Sequence, residues 1–456
     1  MEIKTNVKAP MTKDLLMQYT LLALFAIAFL SYFVFGLPAL VVSLISVGVA
    51  VGCDILLSMV MGSKGPKNTM SAIVFGLIVA LSYSLGEPTL MATGITYPVL
   101  AGGLEQYLYP ALISALGLIV FKKVQGLAGR KYVNPAAIAK LLVLGLLFLP
   151  MITDVNVLLA TDHTQSINLQ APLTEEVFGS TLITCYGDQN TALMRAMSAY
   201  SETGAFIPGV IIPEAAFNMV LAKYHGWIGG FSSILVIAIG LLLFAVARNY
   251  IKWRVTLSYI VATGVLAVIM SVIYGSDVLL TDVILRLMFH LFMGSSIFLA
   301  FFMATDPATT PLTRTGQMIF GIGLAVLTMV IQVYMGFLGG SILALIIMNV
   351  TCPLLDRVGV PKARKERIVC AKLPKAKKFS EVRVTECIRC GRCLEVCSGR
   401  IPTVSIKEAA DKGNWARVKK LGVEYCQQCG TCSFVCPARI DLKAAMRAAK
   451  EEVTKK

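Results

Sequence analysis

The sequence predicts a mainly α-helical protein: a polytopic membrane bundle of about ten transmembrane helices, followed by a small helical soluble domain. Apolar residues fill 56% of the 456 positions and 15% are charged, and the mean hydropathy is +0.74. These values are typical of a multi-pass membrane protein. Residues 357–456 hold 24 Lys and Arg against 10 Asp and Glu, whereas the first 356 residues hold 17 against 16. We therefore expect a nearly neutral membrane body and a basic tail.

The apolar runs give the number of spans. A helix needs ~20 apolar residues to cross the hydrocarbon core of a bilayer. The segment 88–103 is apolar but short and interrupted by Gly and Pro, which favours a re-entrant or interfacial piece and leaves nine or eleven spans open. The expected domains are a membrane domain over 1–356, a basic linker over 357–380 and a soluble domain over 381–456. Runs of sufficient length lie at 15–36, 38–61, 69–86, 104–121, 135–152, 227–247, 255–274, 283–303, 316–335 and 338–355.

The Lys and Arg residues orient this bundle. With ten spans, 14 of the 17 Lys and Arg of the body fall on the same side as the N-terminus and the tail. Because cytoplasmic loops are enriched in these residues, the sequence predicts cytoplasmic N- and C-termini in the inner membrane of a prokaryote. The first apolar run is a full span, so no cleavable signal peptide is expected.

The tail carries two cysteine runs, CIRCGRCLEVC and CQQCGTCSFVC, each with the spacing C-x2-C-x2-C-x3-C. In a reducing compartment, closely spaced cysteines bind metal more often than they form disulfides. This spacing is typical of bacterial two-cluster ferredoxins, in which the fourth cysteine of each run binds the other 4Fe–4S cluster. Structural zinc or disulfides are the alternatives. The predicted ligand sets are Cys387, Cys390, Cys393 and Cys436 for one cluster, and Cys397, Cys426, Cys429 and Cys432 for the other.

The rest of the tail predicts a helical two-cluster, ferredoxin-like domain. The segment between the runs has helical periodicity, and the chain ends in a helix-like LKAAMRAAKEEV. Pro437 follows the second run, whereas Ser398 stands at the matching place of the first. The basic charge has two interpretations: a solvated surface near anionic lipid headgroups, or a docking surface for an acidic soluble donor such as a ferredoxin or flavodoxin.

Two short polar segments interrupt the membrane body. In GRKYVNPAAIAK, Asn134 is predicted to cap a span that begins at Pro135. In FFMATDPATTPLTRTGQ, Asp306 and several threonines follow another span. Helix ends at membrane depth favour anions, and an acid there can meet a cation. The alternative is an ordinary cytoplasmic loop with capping residues.

The same segments carry a family resemblance. VNPAA before an apolar span, and MATDPATTPLTRTGQMIFG after another, resemble the membrane D subunit of the Rnf ferredoxin:NAD oxidoreductase complex and the B subunit of the sodium-pumping NADH:quinone oxidoreductase. The cysteine-rich tail resembles the two-cluster region of the Rnf C subunit. The chain therefore resembles a fusion of two subunits of one electron-transfer complex, without the flavin- and NADH-binding part of the C subunit.

The resemblance also implies flavins. D-type subunits carry FMN on a threonine, through a phosphoester, in a motif similar to S-G-A-T-P-L. The matching stretch here is GDQNTALMRA, with Thr191 at the linked position, but longer residues replace its Gly–Ala pair and Ala192 replaces its proline. Covalent FMN at Thr191 and an ordinary loop threonine both remain open. Family B subunits hold a second, non-covalent flavin, for which Asn134 and Asp306 are the candidate lining residues.

The expected function is electron transfer in an Rnf/Nqr-like membrane complex. Electrons from a low-potential cytoplasmic donor pass through two 4Fe–4S clusters to flavin or to partner subunits, coupled to Na⁺ or H⁺ translocation. The cofactors carry the chemistry, so no acid–base catalytic residue and no activity of the isolated chain are expected. The expected partners are other membrane and peripheral subunits and lipids, without nucleic acid. The rivals are a flavin-free iron–sulfur module that feeds another reductase, and a transporter or assembly subunit with redox-sensing clusters.

Overall fold

The computed structural model describes residues 11–60, 69–83, 105–124, 131–143, 220, 227–274, 279–292, 296–335, 340–364 and 386–455. These residues are mainly helical, and no β-strand is found among them. The prediction of a mainly α-helical protein is therefore confirmed.

Eleven helices of the membrane body are described. Some continue in another helical form: α4 runs on as a π-helical segment over Gly117–Val124, and α9 does so over Leu299–Met303. The bounds are α1 Lys13–Phe35, α2 Leu37–Val60, α3 Thr69–Leu81, α4 Glu105–Leu116, α5 135–143, α6 Ser233–Ala247, α7 Trp253–Ile273, α8 Leu279–Phe292, α9 Ser296–Phe298, α10 Arg314–Met335 and α11 Gly340–Leu355.

Several of these helices can cross a bilayer. Within the described ranges, α1, α2, α7 and α10 are long and apolar enough, and α8 with α9 counts as a fifth span if the bent pair is taken together. The helices α3, α6 and α11 are shorter but also apolar. The chain is thus a multi-pass membrane protein. The total of ten spans stays a prediction, because parts of the predicted spans lie outside the described residues.

The exterior of the bundle is apolar. Leu22, Leu242 and Val272 are each more than 60% exposed, and such side chains would be costly in water but not against lipid. The interior is closely packed. At Gly76 of α3, an added Cβ would lie 2.7 Å from the Cα of Val47 in α2, so only glycine permits this approach of the two backbones.

One predicted span differs from expectation. The sequence predicts a span over 283–303, and within it α8 and the segment Ser296–Met303 are bent by 64° relative to each other. The sequence between them is Met-Gly-Ser, and Gly and Ser are frequent at sharp helix bends. The predicted span is therefore bent, either as a broken span or as a re-entrant segment.

The tail is a small helical domain with its own core. Ile406, Val418, Val423 and Met446 are all completely buried and pack together. The helices predicted between the cysteine runs and at the end of the chain are confirmed. The bounds are α12 Arg392–Glu395, α13 Thr403–Asp411, α14 Trp415–Lys420, α15 Thr431–Phe434 and α16 Leu442–Lys455.

Candidate functional site: the eight cysteines of the tail

The two cysteine runs form the same backbone turn twice, 39 positions apart along the chain. A left-handed φ is uncommon for a residue other than glycine, yet both runs adopt one at the same places. Helices α12 and α15, which follow these turns, also begin and end 39 positions apart. The matching left-handed pairs are Arg389 (53°) with Gln428 (54°), Gly391 (77°) with Gly430 (81°), and Arg400 (54°) with Arg439 (57°).

The first group of thiols combines both runs. Cys387, Cys390 and Cys393 of the first run lie close enough to Cys436 of the second run for their charges to interact. Cys393 and Cys436 are buried. The structure therefore brings together the four cysteines that the spacing assigns to one cluster.

The second group surrounds a cavity. Cys397 of the first run and Cys426, Cys429 and Cys432 of the second run all line it, together with backbone from both turns and Lys443 of α16. Every residue that lines this cavity belongs to the tail. We call these four the outer set.

The donor chemistry of both groups fits iron–sulfur clusters. Burial raises the pKa of the Cys390 and Cys432 thiols to about 12 each and raises that of Cys393 well above its usual value. Such thiols stay protonated at neutral pH unless a metal stabilises the thiolate. A 4Fe–4S cluster is held by four cysteine thiolates, and each of the two groups supplies four cysteines.

The first group faces the membrane body. Ile388 packs with Leu16, Ala247 and Tyr250 of the body, and Cys390 lies against the same cluster. Cys393 packs in another small core with Leu312, which belongs to the body loop before α10. We therefore call Cys387, Cys390, Cys393 and Cys436 the body-side set.

An ion pair fixes this contact. Arg389, between two cysteines of the body-side set, donates from Nη2 to Oδ2 of Asp356 at 2.6 Å. Both side chains are buried. The other oxygen of Asp356 accepts from the backbone N–H of Leu312 at 2.8 Å, and Arg389 also pairs with Glu408 within the tail. Asp356 thus ties the tail, the end of α11 and the loop before α10 together.

Further contacts come from the same end of the bundle. Glu395 of the tail pairs with Arg314 at 3.1 Å and with Arg254 at 3.5 Å. The backbone N–H of Lys13, in the first turn of α1, donates to the carbonyl oxygen of Pro437 at 3.1 Å. The start of α1, the start of α7 and the start of α10 therefore share one end of the bundle with the tail, in agreement with the predicted distribution of charges.

The two polar body segments also meet at this end. Asn134 accepts from the backbone N–H of Ala136 and Ala137, which confirms the predicted cap, and its Nδ2 donates to the carbonyl oxygen of Met303 at 3.2 Å. Asp306, three residues further on, accepts from the N–H of Ala308 and from the hydroxyl of Thr309. Both side chains are engaged in local capping bonds, so a role towards flavin or an ion stays a prediction.

Lys252 connects this loop with the tail. Its ammonium donates to the carbonyl oxygens of Pro307 and Thr310, each at 2.7 Å, and lies close enough to Asp306 and Cys390 to interact with their charges. Thr191, the predicted site of covalent FMN, lies outside the described residues.

Sequence reasoning did not identify Arg389, Asp356 or Glu395. The available signal was the comparison of the two runs: Arg389 and Glu395 stand where the second run has Gln428 and Phe434. Charged residues that occur in only one copy of a repeated turn indicate a contact made by that copy alone. The two cysteine runs give no indication of a partner on α11, so Asp356 could not be found in this way.

Comparisons with known proteins agree with this architecture. The model of the NQR2, RnfD, RnfE family matches residues 1–102 and 89–365. The chain is 26% identical over 367 residues to the D subunit of the Na(+)-translocating ferredoxin:NAD(+) oxidoreductase complex of Acetobacterium woodii, covering 79% of this chain and 95% of that protein. It is 27% identical over 365 residues to the D subunit of the ion-translocating oxidoreductase complex of Stutzerimonas stutzeri, covering 77% and 91%.

A shorter match has a higher identity. Over 143 residues the chain is 33% identical to the D subunit of the proton-translocating ferredoxin:NAD(+) oxidoreductase complex of Clostridium ljungdahlii, covering 31% of this chain and 41% of that protein. The family match ends at residue 365, before the first cysteine run. Because the match covers the whole membrane body, the chain belongs to the NQR2, RnfD, RnfE family.

Proposed function

We propose that the chain is an electron-transfer subunit of an ion-translocating oxidoreductase complex of the Rnf/Nqr type. The membrane body is the D-type subunit, over residues 1–356. After a basic linker over 357–380, residues 381–456 form a fused two-cluster domain similar to that of the Rnf C subunit. The complex sits in the inner membrane of a prokaryote, with both termini of this chain in the cytoplasm.

The placement of the body-side set carries this proposal. Cys390 and Cys393 pack against the membrane body beside Tyr250 and Leu312, and Cys390 also lies near Lys252. A domain that only sensed redox state would not need its buried thiols at that contact. The body-side and outer sets would each hold one 4Fe–4S cluster, which supplies one-electron oxidation and reduction.

The residues around the two sets of cysteines indicate where electrons enter the tail and where they leave it. The outer set lies at a cavity lined only by tail residues, among them Lys443. We propose that the donor is an acidic, low-potential carrier of the ferredoxin or flavodoxin class that docks at this side, because the tail is strongly basic and such charge steers an acidic partner. The body-side set then delivers electrons towards the membrane body.

Flavin is the proposed acceptor. The segments of Asn134 and Asp306 adjoin the body-side set through Lys252, and the start of α5 presents a positive helix end there. We propose that a non-covalent flavin binds near these segments and that Thr191 carries covalent FMN. Electrons then leave through partner subunits of the complex.

The test is donor-dependent reduction of the clusters in membrane vesicles that contain the full complex. A reduced low-potential carrier is added, and the electron paramagnetic resonance signal of reduced 4Fe–4S clusters is followed in time. We expect reduction at the rate of complex turnover and its loss in Cys432→Ser. Cys53→Ser is the matched control, because this free thiol lies in α2 and belongs to neither set. Clusters that no carrier reduces at the turnover rate would contradict the proposal and favour a sensing role.

A further inference from the structure

The interior of the bundle contains a file of polar side chains between α7, α8, α9 and α10. None of them is more than 2% exposed, although the helices are otherwise apolar and the outer surface faces lipid. Polar groups at membrane depth are costly, and those that persist mark ion or substrate pathways. We call these residues the polar file: Thr256, Tyr259 and Thr263 of α7, Asp282, Arg286 and His290 of α8, Ser296 of α9, and Thr328 and Gln332 of α10.

Helical spacing aligns the file. Asp282, Arg286 and His290 are four residues apart, and so are Thr328 and Gln332, so each series occupies one face of its helix. The helices α7 and α10 both begin at the end of the bundle that contacts the tail. The file therefore runs from Thr256, near the tail, to Asp282, near the opposite end.

The end far from the tail holds a buried ion pair. Arg286 donates from Nε to Oδ2 of Asp282 at 3.0 Å, and both side chains are fully buried. The guanidinium also lies over the ring of Tyr274, 5.2 Å from its centroid. The hydroxyl of Tyr274 is 3.3 Å from that of the exposed Tyr334. The file thus reaches the surface beside these two tyrosines.

One turn further in, His290 faces α10. Its Nδ1 is 2.7 Å from Oε1 of Gln332. Because an amide oxygen only accepts, Nδ1 carries the hydrogen and Nε2 has the free lone pair. This Nε2 is buried and has no hydrogen-bond partner among the described residues. A histidine held in this way presents a proton-accepting nitrogen to the interior of the bundle.

Three hydroxyls continue the file towards the tail. The hydroxyl of Tyr259 lies near those of Ser296, Thr328 and Thr263. Those of Tyr259, Ser296 and Thr328 are buried without a formed hydrogen bond in the described part of the chain. Thr328 is one turn from Gln332, ~6 Å along α10, and Gln332 is the residue that bonds to His290. Thr256 follows nearer the tail and donates to the carbonyl oxygen of Ala300.

The break between α8 and α9 lies at this place. The two helices are bent by 64°, and His290 and Ser296 lie on either side of the break. Interrupted helices surround ion sites in transporters. Four buried polar atoms without a hydrogen bond among the described residues lie on α8, α9 and the neighbouring α7 and α10.

We infer that the polar file is a proton pathway with His290 as its proton-binding group. His290 gains one proton at Nε2, becomes an imidazolium, and then releases that proton; only this N–H bond forms and breaks. The hydroxyls of Tyr259, Ser296 and Thr328 can each accept a hydrogen bond from, and donate one to, a water molecule that brings the proton to Nε2 or takes it away. The inference deepens the proposed function, since it assigns the coupled ion and its path.

The charges around His290 are compatible with an imidazole that binds a proton and then releases it. Arg286, one turn away, disfavours a lasting positive charge on the imidazole, and Asp282 is held by Arg286. Gln332, which bonds to the imidazole from α10, is neutral, and so are the other members of the polar file on α7 and α10. The nitrogen lone pair of an imidazole binds a proton, whereas hard cations are held by oxygen ligands, so His290 favours a proton as the coupled ion.

The first test measures proton uptake in vesicles with the full complex while a reduced carrier is oxidised, with cluster reduction recorded in the same sample. In Tyr259→Phe and His290→Gln we expect proton uptake to fall roughly tenfold or more, while the clusters still become reduced when an uncoupler is present. Ser271→Ala is the control, because this buried hydroxyl of α7 bonds to its own helix at Ala267. Unchanged uptake in both variants, or uptake of sodium in place of protons, would overturn the inference.

The second test does not need a redox partner. The chain has three histidines, so infrared titration of the full chain in lipid can assign each imidazole by difference with a single variant. We expect one titrating band that His290→Gln removes and that shifts in Tyr259→Phe. A His290 that never binds a proton from ~pH 3 to 9 would overturn the inference, whereas a wild type whose clusters no carrier reduces would overturn only the proposed function.

Discussion

Removal of the Arg389 guanidinium should release the tail from the membrane body. In Arg389→Met the side-chain length and the left-handed backbone are kept, but Asp356 loses its partner at 2.6 Å. Breaking a buried ion pair costs ~3–5 kcal/mol. Because Asp356 keeps the N–H of Leu312 and Glu408 is partly exposed, the lower value applies. At ~1.4 kcal/mol per tenfold change, the ratio of docked to undocked tail should fall by roughly a hundredfold.

Hydrogen–deuterium exchange measures this ratio. The backbone N–H of Lys13 donates to Pro437 of the tail, so peptides around both residues exchange faster when the tail is undocked. The iron content of the variant shows whether the clusters are still bound. Arg447→Met is the matched control, because its pair with Glu451 is exposed on α16 and such pairs are worth ~0–1 kcal/mol.

A double-mutant cycle completes the test. Asp356→Asn alone should also increase exchange, and the combination with Arg389→Met should be much less than additive, because the two side chains form one interaction. Equal exchange of wild type and Arg389→Met, with iron intact, would refute the view that this pair holds the tail.

Further expectations concern the cysteines, the interface, the flavin and the donor. Cys436→Ser and Cys397→Ser should each lose about half of the iron but different resonance signals, and loss of the same signal in both would contradict the crossed assignment. Gly391→Ala should destabilise docking by at least ~1–2 kcal/mol, visible as faster exchange, since its φ is 77° and a Cβ would lie 3.2 Å from the Leu312 oxygen. A flavin fluorescence band on a denaturing gel should disappear in Thr191→Ala; a band that persists would place the flavin elsewhere. Reduction by an acidic carrier should slow as salt is raised, and a salt-independent rate would remove the basic tail from docking.

Local patterns were sufficient for some features. The spacing of the cysteines predicts that Cys436 joins the first run and Cys397 joins the second, and the structure brings these thiols together; their role as cluster ligands stays a prediction. Asn134 before Pro135 predicts a helix start, and the structure has that cap. Such features depend on neighbours in the sequence, so periodicity and spacing contain the information.

Other features depend on contacts between distant parts of the chain. Arg389 and Asp356 are 33 positions apart, and His290 and Gln332 are 42 apart; no spacing rule connects them. The net charge of the tail does not show which basic residues form long-range contacts. Arg389 is buried in an ion pair, whereas Arg447 lies at the surface. The bend after α8 was missed because the apolar run continues through it.

The repeated turn of the tail affects how the tail can dock on the membrane body. Two copies of the same backbone, related by 39 positions, could in principle attach to the membrane body in either of two orientations. The side chains that touch the body remove this ambiguity: Ile388, Arg389 and Glu395 correspond to Gln427, Gln428 and Phe434 in the other copy, which could make neither the apolar contact nor the ion pairs. The tail therefore docks on the membrane body in one orientation only. In the proposed function, these three differences between the two copies decide which cluster lies next to the membrane body.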